Sequence, residues 1–256
     1  IPTTDAGQTP TPTMDSGNAT TNDDCPAAMV TTWNNTALGG SYCKTDLIFL
    51  QDLITHSGLS IGVLEVGDQT WIEGRLLQLK EEEGSLSGDL PESLVGVTKL
   101  KVLDLESSAL TGSLPADIGQ LKDLTNLRLG NNNLTGSLPE SLGELNKVTL
   151  LNLHSNDPEG AIPESLGQMT ALVNLSMGRN QLTGTIPSSL GALPNLRYIY
   201  LYANQLDGPL PSELGNLSGL LHLFLYDNKI SGSIPESFGD LDTLALLLLE
   251  NNELTG

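Results

Sequence analysis

A period of 24 residues constrains this sequence more than any other feature. Glycine recurs at that interval through seven consecutive repeats, residues 89–256, without an insertion or a deletion. The series consists of Gly88, Gly112, Gly136, Gly160, Gly184, Gly208, Gly232 and Gly256. A fixed period of this length predicts that the chain stacks one small structural unit many times, and does not fold around a single central core.

Each repeat combines a short strand with residues that end it. In the spacing Leu-x-x-Leu-x-Leu, as in Leu220, Leu223 and Leu225, the last two leucines show the period of two that is typical of a strand. An asparagine follows, and its amide suits a turn whose backbone groups lack strand partners. A Leu-x-Gly turn and an Ile/Leu-Pro step then stop the strand, because glycine tolerates unusual backbone angles and proline interrupts a ladder.

The unit from Leu193 to Gly215 (LPNLRYIYLYANQLDGPLPSELG) resembles the plant-type class of leucine-rich repeat proteins. The resemblance covers residues 89–256, and residues 74–88 resemble a degenerate first repeat, although Glu81 takes a position that is usually apolar. It implies an α/β solenoid, a right-handed superhelix with a parallel β-sheet on the concave face and loops or 3₁₀ turns on the convex face. It also implies an extracellular or cell-surface recognition domain, and not an enzyme.

Residues 25–73 are predicted to form a cap that covers the apolar face of the first repeat. Within the cap, residues 46–55 (DLIFLQDLIT) have the pattern of an amphipathic helix, with Asp46 as the expected N-cap. The apolar face of this helix is predicted to contain Leu47, Leu50 and either Ile54 or Leu53.

The only two cysteines, Cys25 and Cys43, both lie in the cap and flank Trp33. We predict a disulfide between them, and the alternative is a pair of buried thiols. The plant-type cap usually carries its cysteines after a tryptophan near the first repeat. Here Trp71 occupies that place without a following cysteine, so the details of the family's cap do not transfer.

Both ends of the sequence differ from the repeats. Residues 1–24 are rich in threonine and proline and are predicted to be a tail or linker. The sequence stops on Gly256 without a polar capping segment, so we expect either that the natural chain continues or that another molecule covers the last repeat.

Charge and motif content exclude several classes of function. The net charge of −20 opposes binding to nucleic acid, and no apolar run is long enough to cross a membrane. The sequence contains no nucleophile elbow, phosphate-binding loop or metal-ligand spacing, so we expect no catalytic site, metal or cofactor. Glutamates such as Glu140 and Glu164 recur on neighbouring repeats, and a solvated acidic surface explains them better than a cation site.

The solvent-facing strand positions of the fourth to sixth repeats are the candidate ligand-binding site. Four of the five tyrosines lie there, and the register places Tyr200 beside Phe224 and Tyr202 beside Tyr226. An exposed aromatic cluster of this kind usually marks an interaction site, although the rings of a common repeat variant also stack without any function. The candidate residues are Arg179, Arg197, Tyr198, Tyr200, Tyr202, His222, Phe224 and Tyr226.

Five Asn-x-Ser/Thr sequences are candidate glycosylation sites. They begin at Asn18, Asn34, Asn133, Asn174 and Asn216. A glycan on Asn174 would lie on the concave face beside the aromatic residues.

These observations favour a non-catalytic extracellular module that binds a protein, peptide or glycan on its concave face. The alternative is a structural protein of a cell wall, matrix or filament that self-associates through its tail and its open repeat end. A third function, inhibition of a wall-degrading hydrolase, is implied by the family resemblance alone.

Overall fold

The computed structural model describes residue 25 and residues 29–34, 36–81 and 84–255. The predicted tail, residues 1–24, and Gly256 lie outside the described residues. The described chain forms a right-handed leucine-rich repeat solenoid with a parallel sheet on its concave face, as the sequence predicts. Within it, no helix has both the length and the apolar character that crossing a membrane requires.

A nine-stranded sheet, the concave sheet, extends from the cap to the seventh repeat. Its strands are Asp68–Ile72, Arg75–Lys80, Val102–Asp104, Asn126–Arg128, Leu150–Asn152, Asn174–Ser176, Tyr198–Tyr200, His222–Phe224 and Leu246–Leu248. Each strand pairs in parallel with the equivalent residues of the next repeat, whereas Asp68–Ile72, which belongs to the cap, pairs antiparallel with Arg75–Lys80. The cap therefore closes the first edge of the sheet by adding a strand to it.

Shorter elements complete each turn of the solenoid. A second set of small parallel strands consists of Ser87–Asp89, Ala109–Thr111, Glu159–Ala161, Gln181–Gly184, Gln205–Leu206, Ser231–Gly232 and Glu253–Leu254. The 3₁₀ helices of the seven repeats are Glu92–Gly96, Ile118–Gln120, Glu140–Glu144, Glu164–Gln168, Ser188–Ala192, Ser212–Asn216 and Glu236–Asp240. Proline precedes most of these helices with extended backbone angles, which separates them from the preceding strand.

The leucine columns form one continuous core. Leu103, Leu127 and Leu151 occupy equivalent positions and are all completely buried. In the asparagine column Asn132, Asn156, Asn180 and Asn228 are buried as well, and Asn204 and Asn252 are half-buried. Each amide connects neighbouring repeats. Asn132, for example, accepts the Leu110 N–H through Oδ1 at 3.0 Å and donates through Nδ2 to the Leu105 carbonyl at 2.9 Å. These bonds satisfy backbone groups that the short strands leave without partners.

In all seven repeats the third residue after the strand of the concave sheet is left-handed, with φ between 52° and 60°. These residues are Ser107, Asn131, Ser155, Arg179, Ala203, Asp227 and Asn251. None is glycine, although Asn131, Asp227 and Asn251 are of residue types that adopt this conformation more readily than most. The repeating geometry imposes it, because the chain must turn at the same point in every repeat.

Pro158 changes the hydrogen bonding of one repeat. It occupies a position where other repeats have leucine or isoleucine, and it has no N–H to donate to the asparagine 22 residues later. Asn180 Oδ1 accepts the N–H of Asn156 instead, at 2.9 Å. A cavity of about 10 Å³, lined by Leu134, Leu153 and Pro158 among others, lies beside the proline.

We expect Pro158→Leu to raise the free energy of unfolding by about 0.5–1.5 kcal/mol, because leucine fills the cavity and restores the missing donor. Urea unfolding followed by circular dichroism measures the change. Pro209→Leu is a suitable control because Pro209 is exposed and leucine would gain no burial there. A lower midpoint for Pro158→Leu than for the wild type would contradict this explanation.

The cap contains the predicted disulfide and the predicted helix. Cys25 and Cys43 are bonded, with Cα atoms 5.7 Å apart. The helix spans Lys44–His56 and buries Phe49 in addition to the leucines and the isoleucine that the sequence identified. Trp71 packs edge-on against Tyr42, with ring centroids 4.9 Å apart, and so anchors the strand Asp68–Ile72 to the rest of the cap.

The predicted N-cap role of Asp46 is wrong. Cys43 occupies the N-cap position and makes no side-chain capping bond, whereas Asp46 is the third residue of the helix, within its first turn, and is completely buried. Its carboxylate accepts hydrogen bonds from Arg75 Nε at 3.0 Å and from the Leu76 N–H at 2.8 Å. Asp46 therefore joins the cap to the strand Arg75–Lys80.

Candidate functional site

Six aromatic rings, counting the imidazole of His222, meet on the concave face of the fifth and sixth repeats. We call them the aromatic patch, which consists of Tyr198, Tyr200, Tyr202, His222, Phe224 and Tyr226. The parallel strands place Tyr198 opposite His222 and Tyr200 opposite Phe224. All six side chains are half-buried, mainly against one another, and their other side faces solvent.

The rings pack in the pairs that the repeat register predicts. Tyr202 and Tyr226 stack almost in parallel, with centroids 4.7 Å apart and an interplanar angle of 10°. Tyr200 lies against Phe224 with centroids 5.0 Å apart, and Phe224 stacks on His222 at 5.4 Å. Contacts of this kind stabilise the rings mutually, so that the patch is ordered before any ligand arrives.

Polar atoms of the patch are also fixed. The Tyr200 hydroxyl lies 2.9 Å from Nδ1 of His222, within hydrogen-bond distance. Burial, and then the neighbouring Tyr198 and Tyr202 hydroxyls, raise the pKa of Tyr200 above its ordinary value. Burial likewise raises the pKa of Tyr226. Both phenols therefore keep their protons at neutral pH and can donate hydrogen bonds.

Gly178 is required for the position of Tyr202. A Cβ at this glycine would lie 2.7 Å from Cε1 of the tyrosine ring, too close for a real contact. The ring therefore lies across the fourth repeat, over the backbone of the glycine. The role of this glycine depends on a neighbour 24 residues away in the next repeat.

The two predicted arginines border the patch and do not join the ring contacts. Arg197 directly precedes the strand Tyr198–Tyr200, and Arg179 follows the strand Asn174–Ser176 in the left-handed conformation, with φ of 57°. Both side chains are exposed.

Two leucines that the sequence analysis did not single out extend the patch into the seventh repeat. Leu246 lies opposite His222, and Leu248 lies opposite Phe224. The side chain of Leu246 is 46% exposed, which is unusual for a leucine in a strand. The same repeat register that identified the aromatic residues could have found both leucines.

The first three repeats present a different concave surface, on which the charged groups pair with one another. Arg128 lies 3.9 Å from both Asp104 and Glu106, and His154 Nε2 lies 3.9 Å from Glu106. Gly130 occupies the repeat position between Glu106 and His154 and has no side chain to separate them. Because Arg128 is already paired with two carboxylates, this surface offers less to a ligand than the aromatic patch does.

The candidate glycosylation sites differ in exposure. Asn133 and Asn216 have exposed side chains, and Asn34 is exposed but donates to Gln51 Oε1 at 3.1 Å. Asn174 is half-buried in a central strand of the concave sheet, and its Oδ1 is buried without a hydrogen-bond partner. Asn18 lies outside the described residues.

A cavity of about 510 Å³ lies away from the patch, where the cap meets the first strands of the concave sheet. Its lining includes Glu65, Asp68 and Glu81 together with Lys80. It has no aromatic ring, and among the described residues no group of three or more histidine, cysteine or acidic side chains is arranged to hold a metal. We therefore place the candidate site at the aromatic patch, which is an open surface and not a cavity.

Comparison with known proteins supports the assignment of the repeats. A family model described as "Leucine-rich repeat region" matches residues 74–199, and one described as "Leucine Rich Repeat" matches residues 195–217 and 219–241. No curated protein is significantly similar in sequence.

Several solved structures share the fold. The PEPR1–AtPEP1 complex superposes with a TM-score of 0.76 and 31% identity over 82% of this chain and 32% of that chain. The receptor RGFR1 in complex with RGF2 gives 0.67 and 39% identity over 70% of this chain and 28% of that chain. The GASSHO1/SCHENGEN3 ectodomain of Arabidopsis thaliana gives 0.68 and 32% identity over 72% of this chain and 25% of that chain.

This chain thus spans a quarter to a third of the length of these ectodomains. The family models and the solved structures nevertheless match most of this chain's own length, and they agree with its repeat period and its parallel sheet. The chain belongs to the plant-type leucine-rich repeat proteins.

Proposed function

We propose that this chain is a non-catalytic recognition module that binds an extended peptide or protein segment on the aromatic patch, outside the cell. The observation that carries the proposal is the packing of six rings on one open face, bordered by two exposed arginines. Aromatic and arginine side chains supply much of the binding energy at protein interfaces, because they offer a large contact area for little lost entropy.

The structural neighbours support this class of ligand. RGFR1 is described as a plant peptide hormone receptor in complex with RGF2, and PEPR1 was solved with AtPEP1. The disulfide Cys25–Cys43 supports an extracellular location, because disulfides persist in oxidising compartments. Self-association and glycan binding have no comparable observation in their favour, and they stay predictions.

Selection from a displayed library of random dodecapeptides tests the proposal. We expect the selected peptides to lose at least about tenfold in affinity when Tyr200→Ala and Phe224→Ala are combined, since one interface hot spot is worth about 2 kcal/mol or more. Isothermal titration calorimetry measures the affinity. The melting temperature is expected to change little, because both rings lie outside the leucine core.

Thr125→Ala combined with Thr149→Ala is the matched control. These threonines lie on the same concave sheet, in the second and third repeats, away from the patch. The control should bind the selected peptides as the wild type does. Peptides that bind equally well to the Tyr200→Ala, Phe224→Ala variant would show that the patch is not the binding site.

A further inference from the structure

Carboxylates are absent from one part of the concave face, in a chain that is otherwise strongly acidic. The chain has 31 aspartates and glutamates against 11 lysines and arginines. The solvent-facing strand positions of the second to fifth repeats contain arginines and no acidic residue. These positions are residues 125, 126, 128, 130, 131, 149, 150, 152, 154, 155, 173, 174, 176, 178, 179, 197, 198, 200, 202 and 203. At the average density of the chain, about two of them would be acidic.

The arginines of this surface differ in what they contact. Arg128 is paired, because it lies 3.9 Å from Asp104 and from Glu106. Arg179 and Arg197 are exposed, and their side chains make no salt bridge or hydrogen bond with any residue that the structure describes. Neither guanidinium therefore has to give up an ion pair within the described chain before it binds a carboxylate of a ligand.

The two free arginines lie at opposite edges of the aromatic patch. Arg197 directly precedes Tyr198, the first aromatic residue of the fifth repeat. Arg179, in the fourth repeat, occupies the position equivalent to Ala203, which directly follows Tyr202, the last aromatic residue of the fifth repeat. The two edges, at positions 197 and 203 of the repeat, are six residues apart along the chain. An extended segment of that length spans at most about 20 Å.

We propose that the ligand of the aromatic patch is an acidic peptide, with one carboxylate bound by Arg197, a second bound by Arg179, and apolar side chains packed on the rings between them. The inference rests on the proposed function and specifies its ligand. An extended peptide covers the separation of the arginines within about six residues, which limits the spacing of its two carboxylates. Each guanidinium binds a carboxylate through two parallel hydrogen bonds, a geometry that lysine does not provide.

Charge also accounts for selectivity. The net charge of −20 repels an acidic peptide from most of this protein. The solvent-facing strand positions of the fourth and fifth repeats hold Arg179 and Arg197 and no carboxylate, so the peptide is directed there and away from Asp227, which follows Tyr226 in the sixth repeat. A basic peptide has many acidic surfaces to bind and meets two arginines at the patch itself.

The dodecapeptide selection described above tests this inference when the selected peptides are sequenced. We expect aspartate and glutamate to be enriched relative to the unselected library, frequently in pairs separated by up to about six residues. We expect Arg179→Gln and Arg197→Gln each to weaken binding by about three- to thirtyfold, as measured by calorimetry at physiological salt. Lys229→Gln removes one positive charge from an exposed residue outside the concave sheet and should leave the affinity unchanged.

The outcomes separate the two proposals. Selected peptides that are neutral or basic, that require Tyr200 and Phe224, and that ignore both arginine variants would overturn the acidic ligand and leave the binding surface in place. Peptides that bind without Tyr200 and Phe224, or a selection that recovers no binding peptide, would overturn the proposed function and the acidic ligand together.

Discussion

Replacing Arg75 with methionine is expected to lower the free energy of unfolding by about 3–5 kcal/mol, because the substitution leaves the buried Asp46 carboxylate without its counter-charge. Arg75 is itself mostly buried, with its side chain 12% exposed, and Asp46 is completely buried. Domains of this type have a total stability of about 5–15 kcal/mol, so the loss should be evident in urea unfolding followed by circular dichroism.

The double variant Asp46→Asn with Arg75→Met identifies the cause. Asparagine keeps an oxygen that can accept the Leu76 N–H, and it carries no charge. We therefore expect the double variant to be more stable than Arg75→Met alone. If both variants were equally destabilised, lost packing of the arginine side chain would explain the effect, and the buried charge would not.

The effect should also depend on pH. Burial raises the pKa of Asp46 above its ordinary value, and the hydrogen bonds from Arg75 and Leu76 oppose that rise. Because the folded state holds this proton more tightly than the unfolded state, stability falls as the pH increases through the pKa of the folded protein. Without Arg75 the pKa should rise further, so the cost of Arg75→Met should be smaller in acid than at neutral pH.

Replacing Asn156 with alanine is expected to lower the free energy of unfolding by about 2–4 kcal/mol, which is the second large effect that the structure predicts. Its Oδ1 accepts the Leu134 N–H at 2.9 Å, and its Nδ2 donates to the Leu129 and Leu153 carbonyls at 2.9 and 3.2 Å. Alanine leaves the buried Leu134 N–H without a partner, which costs about 1–3 kcal/mol. It also removes one hydrogen bond from each of the two carbonyls, which keep their bonds from Asn132 and Asn180. Urea unfolding is again the measurement.

Asn195→Ala is the matched control for this prediction. Asn195 is exposed, and its amide makes a single hydrogen bond, to the Thr170 carbonyl at 2.9 Å. We expect Asn195→Ala to lower the free energy of unfolding by less than about 1 kcal/mol. Equal losses for the two variants would indicate that the asparagine column does not stabilise the stack through its buried amides.

Much of the fold follows from the repeat alone. The spacing of Leu223 and Leu225 predicts both the strand and its buried side, and the period of 24 residues predicts which residues of neighbouring strands are adjacent. The contact of Tyr200 with Phe224 is predictable for the same reason, since parallel stacking without insertions fixes the register. The disulfide was predictable because the described chain has only two cysteines to pair.

Contacts between the cap and the solenoid were not predictable in this way. Asp46 has the residue type and the position of an N-cap, but Arg75, 29 residues later, determines its role. The cap follows no repeat, so nothing in its sequence indicates which distant group a side chain will meet. For the same reason the antiparallel strand Asp68–Ile72 was not identified.

The sequence by itself determined the stack of repeats, the columns of the core and the neighbours within the aromatic patch, because a strict period turns a position in the chain into a position in space. Only the tertiary structure decided how the cap meets the repeats. The contact of Arg128 with Asp104 follows from the register, since the two residues are one period apart, whereas the buried pair of Asp46 and Arg75 follows from no period. Asp46 and Arg75 meet because the cap folds back onto the strand Arg75–Lys80, and a position in the chain does not by itself specify that contact.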